Sequence, residues 1–131
     1  MAAGTETAEP LIDISLAEVQ AVMALADAYK SDLTARLGPA PAADAVERDV
    51  AAGQSAALQA LIAKIAGLTR AERAELVGVV WHGMDEYESF MASRTFAIAT
   101  ADEGIPQYLA KKALFLADQM RHALGKMGYK A

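Results

Sequence analysis

A chain of 131 residues with 54% hydrophobic and 22% charged side chains has the length of one domain and the composition of a folded one, which excludes a disordered polyelectrolyte. With no cysteine anywhere, a disulfide framework, a thiolate metal site and a cysteine nucleophile are excluded too. The formal net charge of −5 is the sum of −6 over residues 1–50, −3 over 51–110 and +4 over 111–131, a gradient that suits pairing of the two ends within one molecule or between two, and whose acidic total argues against nucleic acid as a partner.

Residues 1–10, MAAGTETAEP, lack the basic leader and apolar run of a secretory signal and read as a disordered tail. No apolar stretch approaches the roughly 20 residues that span a bilayer, so the expectation is a cytoplasmic protein with no membrane contact. A single helical domain then covers 11–131. Ser15 with Glu18 has the spacing of a capping box, and Leu16, Val19, Met23, Ala26, Leu33 and Leu37 recur on one face of a first helix of about six turns. Gly38-Pro39 ends it.

Residues 38–54 hold two prolines and two glycines and read as an internal linker or loop. Whether 44–52 forms a helix stays open at this point, because Val46 and Val50 are its only large apolar residues. From Ser55 the pattern resumes with Leu58, Leu61, Ile62 and Ile65, and Gly67 closes this helix. The turn that follows is short, which predicts a hairpin or a steep crossing with the next helix.

That next helix organises the chain. Thr69 and Glu72 form a second capping-box pattern, and Ala74, Val77 and Trp81, with Leu76, Val80 and Met84 beside them, make a broad apolar stripe. Trp81, the only tryptophan, reads as core. Gly83 is the expected stop, and the acidic run Asp85-Glu86-Tyr87-Glu88 is expected to open a further helix, where negative charge is favoured. Phe90, Met91, Arg94, Phe96, Ala97 and Ile98 follow on that helix. A break at 102–106 precedes a long last helix from Tyr108 to Met127, basic toward its end. The expected fold is all-α, a compact bundle of about five helices.

His82, Asp85, Glu86 and Glu88 are the cluster with the donor types for a metal or for acid-base chemistry. Met84 and Met91 flank it, the side chains an adaptable contact uses, and Tyr87 sits inside it. These seven residues are the candidate functional surface. Charge at a helix start already accounts for the acids, so neither metal nor cofactor is expected. Lys111, Lys112, Arg121, Lys126 and Lys130 read as a solvated helix end and not as a phosphate-binding face. Leu68-Thr69-Arg70-Ala71-Glu72-Arg73 is similar to the opening of the helix-turn-helix in response-regulator DNA-binding domains, yet an acidic segment follows where a basic recognition helix would be required. No Ser-His-Asp order, glycine-rich phosphate loop or HExxH occurs.

Taken together, the first helix, Leu68-Thr69 with Glu72 and Glu75-Leu76-Val77, then Val80-Trp81, Gly83, Asp85 and Tyr87, and later Tyr108-Leu109, Leu116-Ala117-Asp118, Met120, Leu124 and Gly128-Tyr129, resemble the bacterial family catalogued as domain of unknown function 3775. The resemblance spans most of residues 12–129. Two positions depart from it: members carry an apolar residue where His82 stands, and a Gly-x-Pro where this chain has Ala110-Lys111-Lys112-Ala113. The second departure predicts a more continuous last helix. The resemblance implies a fold and a bacterial source, with no chemistry. The functional expectation is therefore protein-protein contact, self-association first. A hydrolase-like site at His82–Glu88 and a nucleic-acid-binding helix pair are the alternatives.

Overall fold

The computed structural model describes residues 10–39, 43–53, 55–100 and 104–129. Among the described residues there are seven helices and no strand: α1 (Leu16–Leu37), α2 (Ala43–Ala52), α3 (Ala56–Ala66), α4 (Arg70–Gly83), α5 (Phe90–Thr100), α6 (Ile105–Lys111) and α7 (Ala113–Lys126). The all-α expectation holds; the count of about five does not. None of these helices is long and apolar enough to cross a membrane. Of the tail expected at residues 1–10, residues 1–9 lie outside the described residues, as do 101–103 in the expected break.

Two elements account for the difference in count. The segment 38–54, expected as a linker, contains α2. Ala45 and Val46 are buried, and Asp49 is buried with them, accepting hydrogen bonds from the Tyr29 hydroxyl and the Arg36 guanidinium of α1, both at 2.7 Å. A polar anchor thus supplements the apolar surface that two valines provide. The last helix, expected to be continuous, breaks at Lys112, whose φ of −98° and ψ of 9° leave the helical region. Bonds to the third residue back, Lys112 N–H to the Leu109 carbonyl at 3.0 Å and Phe115 N–H to the Lys112 carbonyl at 2.9 Å, tighten the chain there. The bend lets α6 rest on α2 and α3 while α7 lies along α1 and α4.

The centre of the molecule is α4, where every residue from Ala74 to Val80 is buried. A helix enclosed on nearly all sides needs neighbours close to its backbone, and glycine supplies the room. A Cβ on Gly78 would lie 2.9 Å from the Arg94 Cα of α5, and one on Gly83 only 1.8 Å from the Gln119 carbonyl oxygen of α7. Gly83 does coincide with the end of α4, but its conformation is not the left-handed one of a glycine stop; its role is the contact with α7. The capping box at Thr69 forms in full, with Glu72 N–H donating to Thr69 Oγ1 at 3.1 Å and Thr69 N–H to Glu72 Oε1 at 2.8 Å. At Ser15 only half forms. Glu18 N–H donates to Ser15 Oγ, but the Glu18 carboxylate pairs with Lys64 of α3 at 2.8 Å. That pair belongs to the packing of α3 against α1; α3 leans on α1 and α6, so of the two expected arrangements with α4, a hairpin or a steep crossing, the hairpin does not form.

Candidate functional site

The seven residues singled out from the sequence do not act as one group. Asp85 takes the left-handed conformation, φ 59°, which Asp and Asn tolerate better than most side chains. Its N–H donates to the His82 carbonyl at 3.1 Å. Lys126 of α7 donates to that carbonyl at 3.0 Å and to Asp85 Oδ1 at 2.6 Å, and His122 Nε2 lies 3.4 Å from the same carboxylate oxygen. The Lys126 hydrogen bond, with smaller help from the charges of Lys126 and His122, holds the Asp85 carboxyl below its usual range. His82 is buried, its ring set edge-on to Phe90 at 6.1 Å, whereas Asp85, Glu86 and Glu88 are exposed. Among the described residues, no three His, Asp or Glu side chains are grouped as a metal would require.

The acidic run does not start a helix. It forms the turn between α4 and α5, and α5 begins at Phe90 with no acid in its first turn. Ser89 serves there instead, its Oγ accepting the Ala92 N–H at 3.0 Å. Met84 is half-buried against the core, while Met91 stands 41% exposed.

Tyr87 joins a different group. Its ring packs 6.0 Å from Trp81 and 5.8 Å from Phe96, and Trp81 and Phe96 are 5.8 Å apart. Trp81 is thus half-buried and not a full core residue as expected. The reason lies in its polar atom: the indole N–H donates to the Tyr108 hydroxyl of α6 at 2.9 Å, which keeps the ring at the margin where that bond can form. Lys112 places its ammonium 5.2 Å from the centre of the Tyr108 ring. Between α4, α5 and α6 lies a hollow of about 290 Å³, lined by Val77, Trp81, Ala97, Thr100, Gly104, Ile105 and Tyr108.

Beside this hollow runs the outer face of α5. Its inner face, Phe90, Ser93 and Ala97, is buried, with Ser93 Oγ donating to the Gly78 carbonyl of α4 at 2.8 Å. The single charged residue of this 11-residue helix, Arg94, turns toward Asp13 at 2.6 Å and Glu75 at 3.3 Å. What remains outside, besides Thr100 at its end, is Met91, Ala92, Thr95, Phe96, Ile98 and Ala99, with Phe96 50% and Ile98 41% exposed. Of this face, Met91 alone was singled out from the sequence, and not Phe96 or Ile98. Its signal was present in FMASRTFAIAT, a helix with one charge and large apolar residues at more angles than one buried stripe can take.

The buried carboxylate of Glu75 accepts the backbone N–H groups of Ile12, Asp13 and Ile14 at 2.5 to 2.8 Å. It is the fastening point of the segment before α1. The basic residues also disperse: Arg121 pairs with Asp27 and Asp118, and Lys126 with Asp85, while Lys130 lies outside the described residues. In comparisons with known proteins, no family model, no curated protein and no solved structure matches the chain.

Proposed function

We propose that the chain is a helical interaction domain of the bacterial cytoplasm, working through protein-protein contact at the outer face of α5 and the aromatic edge of Trp81, Tyr87 and Phe96. The resemblance to the family catalogued as domain of unknown function 3775 belongs to this proposal and adds no activity to it. The observation that carries the reading is the composition of the α5 face. In a chain where 22% of residues are charged, the helix exposes Met91, Phe96 and Ile98 and spends its only charge inward on Glu75 and Asp13. Interface cores are depleted in charge and enriched in aromatic residues and methionine in the same way.

A hydrolase-like site at His82–Glu88 has less support. Its histidine is buried, Asp85 is engaged by Lys126, and the neighbouring hollow has a mainly apolar lining, whereas acid-base chemistry needs donors within reach of one substrate. Nucleic-acid binding through α4 and α5 has less still, because α5 presents no outward cation to a phosphate. A photo-crosslinking residue at Phe96 and another at Gln20, exposed on α1, test the proposal in cells. Adducts are expected from position 96 and not from position 20. Equal yields from both positions, or none from 96, would remove the α5 face as the contact.

A further inference from the structure

We infer that the occupant of the α5 face is a second copy of this chain, packed with its own α5 antiparallel about a two-fold axis at Thr95. The inference rests on the interaction reading above and names the partner. Its first ground is charge. A two-fold interface uses the same surface patch on both molecules, residue i against j and j against i, so a charge at the axis meets its like and a charge elsewhere needs its opposite on that same patch. The exposed positions Met91, Ala92, Thr95, Phe96, Ile98 and Ala99 carry none. Two molecules of net charge −5 can therefore meet here without burying an ion or opposing two like charges, whereas an acidic or basic partner finds no counter-charge on this face.

The second ground is size. Met91, Thr95 and Ile98 follow the i, i+4, i+7 spacing of a helix-packing seam. With the axis at Thr95 and the helices antiparallel, Met91 falls opposite the partner's Ala99 and Ala92 opposite the partner's Ile98, while Thr95 meets its own copy. Met91 and Ile98 each face an alanine, and symmetry repeats both matches. A parallel pairing in register would set Met91 on Met91 and Ile98 on Ile98. The antiparallel sense also places each helix end beside the oppositely charged end of its partner. Phe96, held against Trp81 and Tyr87, flanks the seam as an aromatic anchor of the kind that dominates interfaces.

One 11-residue helix face covers less than the roughly 800 Å² per partner of a standard interface. The expected dimer is accordingly reversible, with a dissociation constant on the order of micromolar to a few hundred micromolar. The chain has no cysteine, so Thr95→Cys introduces a single thiol on the proposed axis, where the two α-carbons must approach within about 7 Å for a disulfide to close. Mild oxidation should convert Thr95→Cys to covalent dimer, while Gln20→Cys on α1 stays largely monomeric. Sedimentation equilibrium of the natural chain should show a monomer-dimer equilibrium, weakened at least tenfold by Ile98→Asp with the helical circular dichroism unchanged. Met91→Lys, at the other end of the seam, provides the same reading if Ile98→Asp perturbs the fold. A natural chain that stays monomeric at every concentration overturns the second-copy assignment, and crosslinking from Phe96 to other proteins would then still support the broader reading. A dimer indifferent to both variants, with no preference for Thr95→Cys over Gln20→Cys, places the contact elsewhere and overturns the assignment as well.

Discussion

Glu75 shows how little a residue's type reveals of its work. It lies in an apolar stripe on α4 as the one acid, fully buried, with three backbone N–H groups of the segment before α1 donating to it and Arg94 Nε 3.3 Å away, close enough for an ion pair but outside hydrogen-bond geometry. Removing that charge leaves Arg94 and the three donors under-compensated, so Glu75→Gln should destabilise by about 3 kcal/mol. Urea denaturation measures it, and a loss below about 1 kcal/mol, the size of a surface effect, would show the segment to be fastened by something else. Asp49 makes a comparable anchor with a signature in pH. The Arg36 hydrogen bond holds its carboxyl below the usual range against the opposing effect of burial, and Tyr29 assists. The contribution of Asp49 to stability is present above its unfolded value of about 3.9 and is lost as pH falls through the lower folded value. Tyr29 behaves oppositely, pushed upward first by burial and then by its bond to Asp49. Its contribution is present below about pH 10 and is lost as pH rises through the higher folded value. Unfolding midpoints of Asp49→Asn followed against pH should fall less steeply toward acid than those of the natural chain; parallel curves would sink the assignment. Neither anchor was legible in the sequence, because a buried acid and a solvated one have the same letter and only the neighbours brought by the fold distinguish them. The same holds for Trp81, whose place in the apolar stripe was legible but whose depth depended on where α5 and α6 came to rest, and for His82, expected on a functional surface and found buried against Phe90.

At the scale of the element, the readable signals were those written within a single turn. Thr69 and Glu72 satisfy each other's backbone groups, so their spacing alone located the start of α4, and Ser55 and Gly67 bound α3 in the same local way. α2 and the break at Lys112 were not readable. The first depends on Asp49 reaching Tyr29 and Arg36 across 20 and 13 residues, the second on α6 finding α3. Gly83 was read as a helix stop when it is a point of close approach, and the two readings predict opposite results. A stop glycine outside the left-handed region would tolerate Ala and gain helix propensity. A contact glycine whose added Cβ would sit 1.8 Å from Gln119 O must push α7 off α4, and Gly83→Ala should cost about 3 kcal/mol or more by overpacking. Gly125 provides the control within α7, since a Cβ there meets nothing within 4 Å; Gly125→Ala should stabilise by roughly 0.5 to 1 kcal/mol. Thermal or urea melts of the two variants that move in the same direction would contradict this view of the α4–α7 contact.

For the molecule as a whole, the gradient of charge from an acidic front to a basic tail suggested two ways to assemble, one internal and one between copies. The internal way is used by Arg121 of α7, which pairs with Asp27 of α1 at 3.0 Å; Lys126 of the tail pairs with Asp85 of the middle segment at 2.6 Å, and Lys30 of α1 with Asp118 of α7 at 3.5 Å joins the same helices in the reverse sense. These pairs are largely exposed and individually weak, yet they leave fewer of the opposite charges for a second copy to meet. Association through the α5 face and association through the charged ends then differ in their response to salt. Between two molecules of net charge −5 the long-range force is repulsive, and raising the ionic strength from about 0.02 M to 0.5 M shortens the Debye length from about 20 Å to about 4 Å. An uncharged seam keeps its apolar attraction while the repulsion is screened, so the dimer should tighten, by a few-fold, as salt rises. A contact made of acidic ends on basic ends would weaken over the same range, because screening removes the attraction that forms it. Sedimentation equilibrium of the natural chain across this salt series distinguishes the two, and a dimer that dissociates on adding salt would return the interface to the charged termini and remove it from α5.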